Sequence, residues 1–466
     1  MDKKLVDAAN EGDPQKVAEL LQSISDSELT QLIQGRSLRG KDPLELLRAV
    51  LLGSSDGSNR ASKTKVLVYT SCVQLLEKND MQNKLASDLV GLLMLQADSL
   101  AGPALVEISA VFTDMVKNGQ IQSGRGLELL PKILSSIASE DIIVYGDGSM
   151  KGTEYKSHIQ NSLCSCKWTK QSVIHLAAMF KDVQMSLDEL KFVIDKILRL
   201  FKDTDLQDLP ALVYQLLLLS TKGHKRLVIE GIMKFFVEQD KLQEGKIENE
   251  LSEDLMSDET DTEVLRHTEG TVILHISFAV KQDQELGREF IKLLKGNQMR
   301  SATQVLSPFN LALALCLARI HRFEDQIYDF LKTMVLKSYK DDEKQSQSHW
   351  VRDVVMDTCH VEEFVIETVK NSKFGWDHVV QGLVHLGFLL MDSFGPKAVF
   401  GRIETSTVPQ IGPSYRACQL GSTILLNTFK EHEMVRAEIL DQIFNRVIKM
   451  SYLCKESGPE PKIYGC

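Results

Sequence analysis

Apolar residues in this chain return every three or four positions, segment after segment, with no sustained apolar and polar alternation bounded by hairpin turns. That spacing lays apolar side chains along one stripe of an α-helix, whereas a half-buried strand needs a period of two. The clearest case is Leu187, Leu190, Ile194, Ile197, Leu198 and Phe201, which predict one buried helical face. Ser186 and Glu189 open that helix as a capping box, each side chain reaching a backbone N–H left free at the other's position. Further stripes are Leu85, Leu89, Leu92 and Leu93, then Leu105, Ile108, Phe112 and Met115 after Gly102-Pro103, then Ile133, Leu134 and Ile137 after Pro131. Later come Phe323, Ile327, Phe330, Leu331 and Met334, a helix from Trp376 to Ser393 that Gly395 and Pro396 break, and a final stripe of Val435, Ile439, Ile443 and Val447. The expected class is all-α, with no sheet.

At 466 residues the chain is too long for one compact core, which suggests about three domains or one extended repeat array. The balance of 43% hydrophobic and 25% charged residues is that of a folded chain rather than a disordered one. No apolar run reaches the roughly 18 residues of a membrane span, and MDKKLVDAANEGD lacks the apolar centre of a signal peptide. The expectation is a protein of the cell interior without membrane contact, whose eight cysteines are reduced thiols. A net charge of -10 argues against bulk attraction to nucleic acid, so any DNA contact needs a local basic patch.

The stretch from Leu265 to Lys295 forms a seam between two series of helix pairs. Val272 to Val280 is apolar nearly all round, as in a helix buried between layers, and Leu286, Phe290, Leu293 and Leu294 form a stripe. Arg288, Lys292 and Lys295 fall at i, i+4 and i+7 on another face. That face reads either as a solvated surface paired with Glu285 and Glu289 or as a ridge that contacts phosphates. Connections are expected at Gly53–Asn59, at YGDGSMKG (Tyr145 to Gly152), in the acidic stretch Asp240–Glu263 as an exposed linker, at GNQMRSATQ and at KDDEKQSQSH (Lys340 to His349).

Motifs for catalysis are weak. GRSLRGKD, Gly35 to Asp42, matches the first positions of a phosphate-binding loop, but a helix-like LTQLIQ precedes it and Asp42 stands where a hydroxyl should hold magnesium. Cys164 and Cys166, with His158 and His175 within reach along the chain, supply one ligand pair where a structural zinc site uses two. His267 and His275 lie near each other in the seam, with His275 read as a satisfied core histidine. No GxSxG, HExxH or dinucleotide fingerprint occurs, and no metal, cofactor or catalytic residue is expected. Leu5 to Gln22 looks like an ankyrin opening without the repeat that should follow, and reads as a terminal helical cap.

LVGLLMLQAD (Leu89 to Asp98), LELLPKIL (Leu127 to Leu134), PALVYQLLLLSTKG, HTEGTVILHI (His267 to Ile276), ELGRE (Glu285 to Glu289), LSPF (Leu306 to Phe309), WDHVVQGLV (Trp376 to Val384), MDSFGPK (Met391 to Lys397) and FNRV (Phe444 to Val447) stand in one order. Together they resemble the Fanconi anaemia group I family, collinearly from Met1 to about Val447. The resemblance implies an antiparallel helical-repeat fold, an α-solenoid with an intervening helical domain. It places a cap at 1–52, a first solenoid at 60–280, a helical domain at 281–371, the start of a second solenoid at 376–448 and a divergent tail at 449–466. It implies a non-enzymatic nuclear scaffold, also cytoplasmic, that pairs with the group D-two protein, meets the Fanconi core ubiquitin-ligase components and clamps double-stranded or branched DNA in interstrand crosslink repair. Under that reading Arg288, Lys292, Lys295, Lys332, Lys337 and Lys340 are the candidate phosphate contacts, taken by charge and position. After Val447 the sequence IKMSYLCKESGPEPKIYGC departs from the family, and no segment matches the surroundings of its ubiquitin-accepting lysine, so no acceptor is assigned. The alternatives are a helical-repeat adaptor that binds protein without DNA, and an enzyme using the Gly35–Asp42 stretch.

Overall fold

A computed structural model describes Lys4, Leu20, Val66, Tyr69, Thr70 and residues 72–77, 83–249, 255–296, 307–347, 361–400 and 412–456. The chain divides into two compact units, Met1–His224 and Lys225–Cys466. The expected cap apart from Lys4 and Leu20, the Gly35–Asp42 stretch and the Gly53–Asn59 linker lie outside the described residues.

The first unit contains α1 (Asn83–Ala97), α2 (Gly102–Lys117), a 3₁₀ turn (Gly126–Leu129), α3 (Leu130–Ala138), β1 (Ile143–Tyr145), β2 (Gly148–Met150), α4 (Gly152–Ser165), α5 (Lys170–Asp182), α6 (Leu187–Leu200) and α7 (Leu209–Ser220). Proline sits in the first turn of α2, α3 and α7, where its missing N–H has no intrahelical partner to lose. α3 packs on α5 and α5 on α7, while α2 packs on α4 and α4 on α6. Alternate helices thus stack in two layers, as helical repeats do. Leu89, Leu93, Leu105, Ile108, Phe112, Ile133, Leu134, Ile137, Leu190, Ile194 and Ile197 are all buried between them.

The structure differs from expectation at two places in this unit. Leu187 is 60% exposed, because it opens α6 at the edge of the buried face, and Val193 occupies that face in its place. The Tyr145–Gly152 connection holds a two-stranded antiparallel hairpin, with Tyr145 paired to Gly148 and Ile143 to Met150. Gly146, at φ +60°, supplies the left-handed turn residue. Strands of three residues are too short to show an alternation in sequence.

The second unit contains α8 (Lys225–Asn249), α9 (Leu255–Gln282), α10 (Gln284–Gly296), α11 (Pro308–Ala318), α12 (His321–Gln347), α13 (Val361–Asn371), α14 (Asp377–Phe400), α15 (Pro413–Glu431) and α16 (Arg436–Glu456). Its centre is α11, whose every residue is buried and which touches α8, α9, α12, α13 and α14. Ser307 caps it, its Oγ accepting from the Asn310 N–H at 3.1 Å, and Pro308 fills the first turn. α14 and α15 cross so closely that a Cβ on Gly421 would meet the Gly387 carbonyl oxygen at 2.6 Å.

Several expected connections prove helical. The acidic stretch is largely occupied by the end of α8 and the start of α9, with Asp240 buried, and α12 runs through the polar segment as far as Gln347. Glu, Gln and Lys are good helix formers, so low apolar content did not signal a loop. α14 continues past Gly395 and Pro396 to Phe400, although the proline supplies no N–H to the carbonyl four residues before it. α16 likewise runs past the expected end of the helical series at Val447 to Glu456. Val435 and Ile439 are buried with Val380, Val384, Phe388 and Leu425, but Ile443 and Val447 are exposed.

Candidate nucleic-acid interface

The seam is two helices, because the chain breaks at Asp283 between α9 and α10. Asp283 caps α10, its Oδ1 accepting from the Glu285 N–H at 3.1 Å, and its Oδ2 pairs with Lys225 Nζ at 2.7 Å. Leu286, Phe290, Ile291, Leu293 and Leu294 face the core. A Cβ on Gly287 would meet the Phe323 ring at 2.7 Å, and Arg322 bonds the Gln284 amide, so α10 and α12 touch near their first turns.

Arg288, Lys292 and Lys295 are exposed on α10. Lys292 pairs with Glu289 at 2.5 Å, one of the two pairings expected for a solvated face. Glu285 turns instead toward Lys225, at 3.9 Å, and Arg288 and Lys295 make no ion pair among the described residues. On α12, Lys332 is half-buried and paired with Asp329 at 3.0 Å, while Lys337 and Lys340 are exposed. Lys340 stands about 25 Å along the helix axis from Phe323, at 1.5 Å per residue. The first three cations therefore share one face, and the α12 lysines stand on a separate helix. Such a ridge can neutralise phosphates in a row, provided that Lys292 and Lys332 exchange their carboxylate partners for the ligand.

A second polar group lies buried in the seam. Arg266 Nη1 bonds Asp240 Oδ1 at 2.6 Å and both oxygens of Glu269 at 2.9 Å. The Asn371 amide, oriented by its hydrogen bonds, accepts from Arg266 Nε at 3.2 Å and donates to Glu367 at 3.2 Å. The Trp376 indole N–H donates to the Arg266 carbonyl at 2.7 Å. Burial of Glu269, reinforced by Asp240 and opposed by Arg266, pushes its carboxyl up to about 8. For Arg266, burial favours the neutral form, but the two carboxylates outweigh it and hold the guanidinium charged. Sequence alone does not reveal this cluster. Its only local trace is the i, i+3 spacing of Arg266 and Glu269, since Asp240, Asn371 and Trp376 arrive from elsewhere in the chain.

The other candidates separate. Burial lifts the Cys164 thiol to about 12. His158 stacks on Tyr155 and meets Tyr145 at a tilt, and His175 lies against Gly124. Among the described residues no three His, Cys, Asp or Glu side chains gather as metal ligands, and no helix is long and apolar enough to cross a membrane. His267 is exposed, 3.8 Å from Glu263, and His275 is half-buried.

Comparison with known proteins matches four family models in order: FANCI solenoid 1 cap over residues 1–53, FANCI solenoid 1 over 62–281, FANCI helical domain 1 over 285–371 and FANCI solenoid 2 over 379–456. The chain is 43% identical over 451 residues to the Fanconi anemia group I protein of Gallus gallus, and 42% identical over 452 residues to its homolog in Mus musculus. Each alignment covers 96% of this chain and 34% of the relative, so the chain spans about a third of the length of these curated relatives.

Proposed function

Because the chain belongs to the Fanconi anaemia group I family, corresponding to its N-terminal part, we propose that it is a non-enzymatic scaffold that pairs with the group D-two protein and contacts DNA during interstrand crosslink repair in the nucleus. The observation that carries this reading is the unbroken order of the four family matches. The first solenoid hands over to a helical domain near residue 281, and a second solenoid begins near residue 376. The α10 ridge of Arg288, Lys292 and Lys295 lies just beyond the first hand-over and is the leading phosphate contact, with Lys332, Lys337 and Lys340 on α12 as separate further candidates. No catalytic step is assigned to any residue. The Fanconi core ubiquitin-ligase components are further partners under this reading, and no acceptor lysine is assigned within this chain.

The test is co-purification of the chain with the group D-two protein, beside gel shifts with duplex and branched DNA over a salt series. Replacing Arg288, Lys292 and Lys295 together by Glu weakens duplex binding and reduces the salt slope by roughly 0.9 for each phosphate that is no longer neutralised. Unchanged affinity and slope remove the ridge from the interface. Capture of the partner without any DNA shift leaves the protein-binding adaptor in its place.

A further inference from the structure

We propose that the connection between α13 and α14 is an acid-released clasp, with His378 and His432 as its two pins. The inference stands apart from the DNA reading and rests on where each imidazole finds a partner. The connection runs from Ser372 to Trp376. At its start, His432 from the turn between α15 and α16 meets Ser372 Oγ through Nε2 at 2.7 Å, and both residues are buried. At its end, His378 in the first turn of α14 bonds the Gly270 backbone of α9. A Cβ on Gly270 would meet the Trp376 ring at 2.7 Å, so α9 also packs directly on the end of the connection.

Each ring has one partnered nitrogen. Ser372 Oγ donates its single proton to the Val369 carbonyl at 2.5 Å, which leaves the oxygen free to accept, so neutral His432 carries its proton on Nε2. A second proton goes to Nδ1, which has no hydrogen-bond partner among the described residues. In His378 the orphan is Nε2, buried without a partner among the described residues, and the Gly270 bond therefore belongs to Nδ1. An imidazolium presents two N–H donors, and each site offers one acceptor. Protonation thus sets a charge and an unpaired donor inside the unit. Burial accordingly lowers both rings below the ordinary 6.5. Asp377, beside both, and Glu431, beside His432, oppose it without cancelling it, and Arg319 after α11 adds to it at His378. The other charged neighbours are exposed or engaged elsewhere. Glu433 is exposed, Lys370 pairs with Glu367, and Arg436 bonds the Phe429 and Lys430 carbonyls. His267 pairs with Glu263, and Lys373 lies over the Phe374 ring.

A base that holds its proton more weakly when folded than when unfolded contributes stability that is fully present above its unfolded value. That stability is lost as pH falls from the ordinary 6.5 to the lowered folded value. Each histidine changes the folding equilibrium by up to about tenfold per pH unit within its window, and the two together by up to about a hundredfold. The clasp is accordingly fastened at neutrality and released in mild acid.

The experiment compares the full chain with the double variant His378→Asn and His432→Gln. The Asn amide nitrogen stands where Nδ1 bonds Gly270 and the Gln amide nitrogen where Nε2 bonds Ser372, and neither titrates. Unfolding equilibria are expected to run parallel above pH 7, the wild type falling progressively below the variant from pH 6.5 to 5. Groups common to both proteins, Glu269 among them, cancel in that difference. Amide exchange at pH 5.5, corrected for intrinsic rate, is expected to quicken in the first turns of α14 and α16 of the wild type relative to the variant. Parallel curves over the whole range, or quickening spread evenly over the unit, overturn the clasp. Should the double variant not fold, the single variants decide: each is expected to lose one proton's share of the acid slope, and the full wild-type slope in either overturns the proposal.

Discussion

The two units use the same helices and differ in where their demanding contacts lie. In Met1–His224 these sit at turns. Gly124, at φ +73°, brings the chain under His175, and the Glu77 carboxylate receives the backbone N–H groups of Gln122, Ser123, Gly124 and Leu127 at 3.0 to 3.2 Å. In Lys225–Cys466 they sit at crossings in the middle of helices, where Gly387 meets Gly421 and Arg266 meets partners on two other helices. The first unit is therefore fastened at its loops, and the second around a hub where several helices meet. A perturbation should stay local in the first and spread in the second.

Arg266→Met tests the spreading side and carries the largest expected effect. It keeps an unbranched stem in place but leaves Asp240 and Glu269 without their cation. Removing one member of a buried ionic group costs about 3–5 kcal/mol. Denaturant unfolding should report that loss, and amide exchange should quicken in α8, α9 and α13 together. A loss below about 1 kcal/mol, or exchange confined to α9, breaks the contrast between hub and array.

Glu77→Ala is the counterpart in the first unit. Four backbone N–H groups at the entry to α3 lose a charged acceptor, at a cost of about 2 kcal/mol once water has replaced part of the bonding. The expected signature is faster exchange at residues 122–127, with α5 and α7 unaffected. Quickened exchange throughout the stack would mean that the array is as cooperative as the hub.

How much of this was legible in the sequence follows the same divide. The stripes of α2, α3 and α6, the prolines opening α3 and α7, and the capping box at Ser186 and Glu189 are encoded within a few residues of one another, and each appears in the structure. The all-α class followed from them. The continuation of α8, α12 and α14 through polar or proline-containing sequence did not, because neighbouring helices support it. Asp240 looked like part of a solvated acidic run, and only folding places it against Arg266. The α10 ridge was legible as a spacing, whereas its pairing was read in part: Glu289 holds Lys292 as expected, and Lys225 draws Glu285 away. A period of 3.6 fixes a face but does not say which distant charge will meet it.

Ser186→Ala has the smallest expected effect, because the feature it removes is confined to one helix end. Ser186 Oγ accepts from the Glu189 N–H at 3.3 Å, and Glu189 Oε2 accepts from the Ser186 N–H at 2.7 Å. Losing the first bond costs about 1 kcal/mol, and Ser186→Asp, which caps as well, should cost little. The second bond survives both changes, so Glu189 gives an internal control. Burial pushes its carboxyl up, but Ser157, the Ser186 N–H, Lys156 and the Ser186 side chain, the one contribution that Ser186→Ala removes, outweigh burial and hold it below the ordinary 4.5. An acid held low contributes stability that is present above its unfolded value and is lost as pH falls through its folded one. Ser186→Ala should therefore show a nearly constant deficit at neutral and alkaline pH, narrowing only in acid.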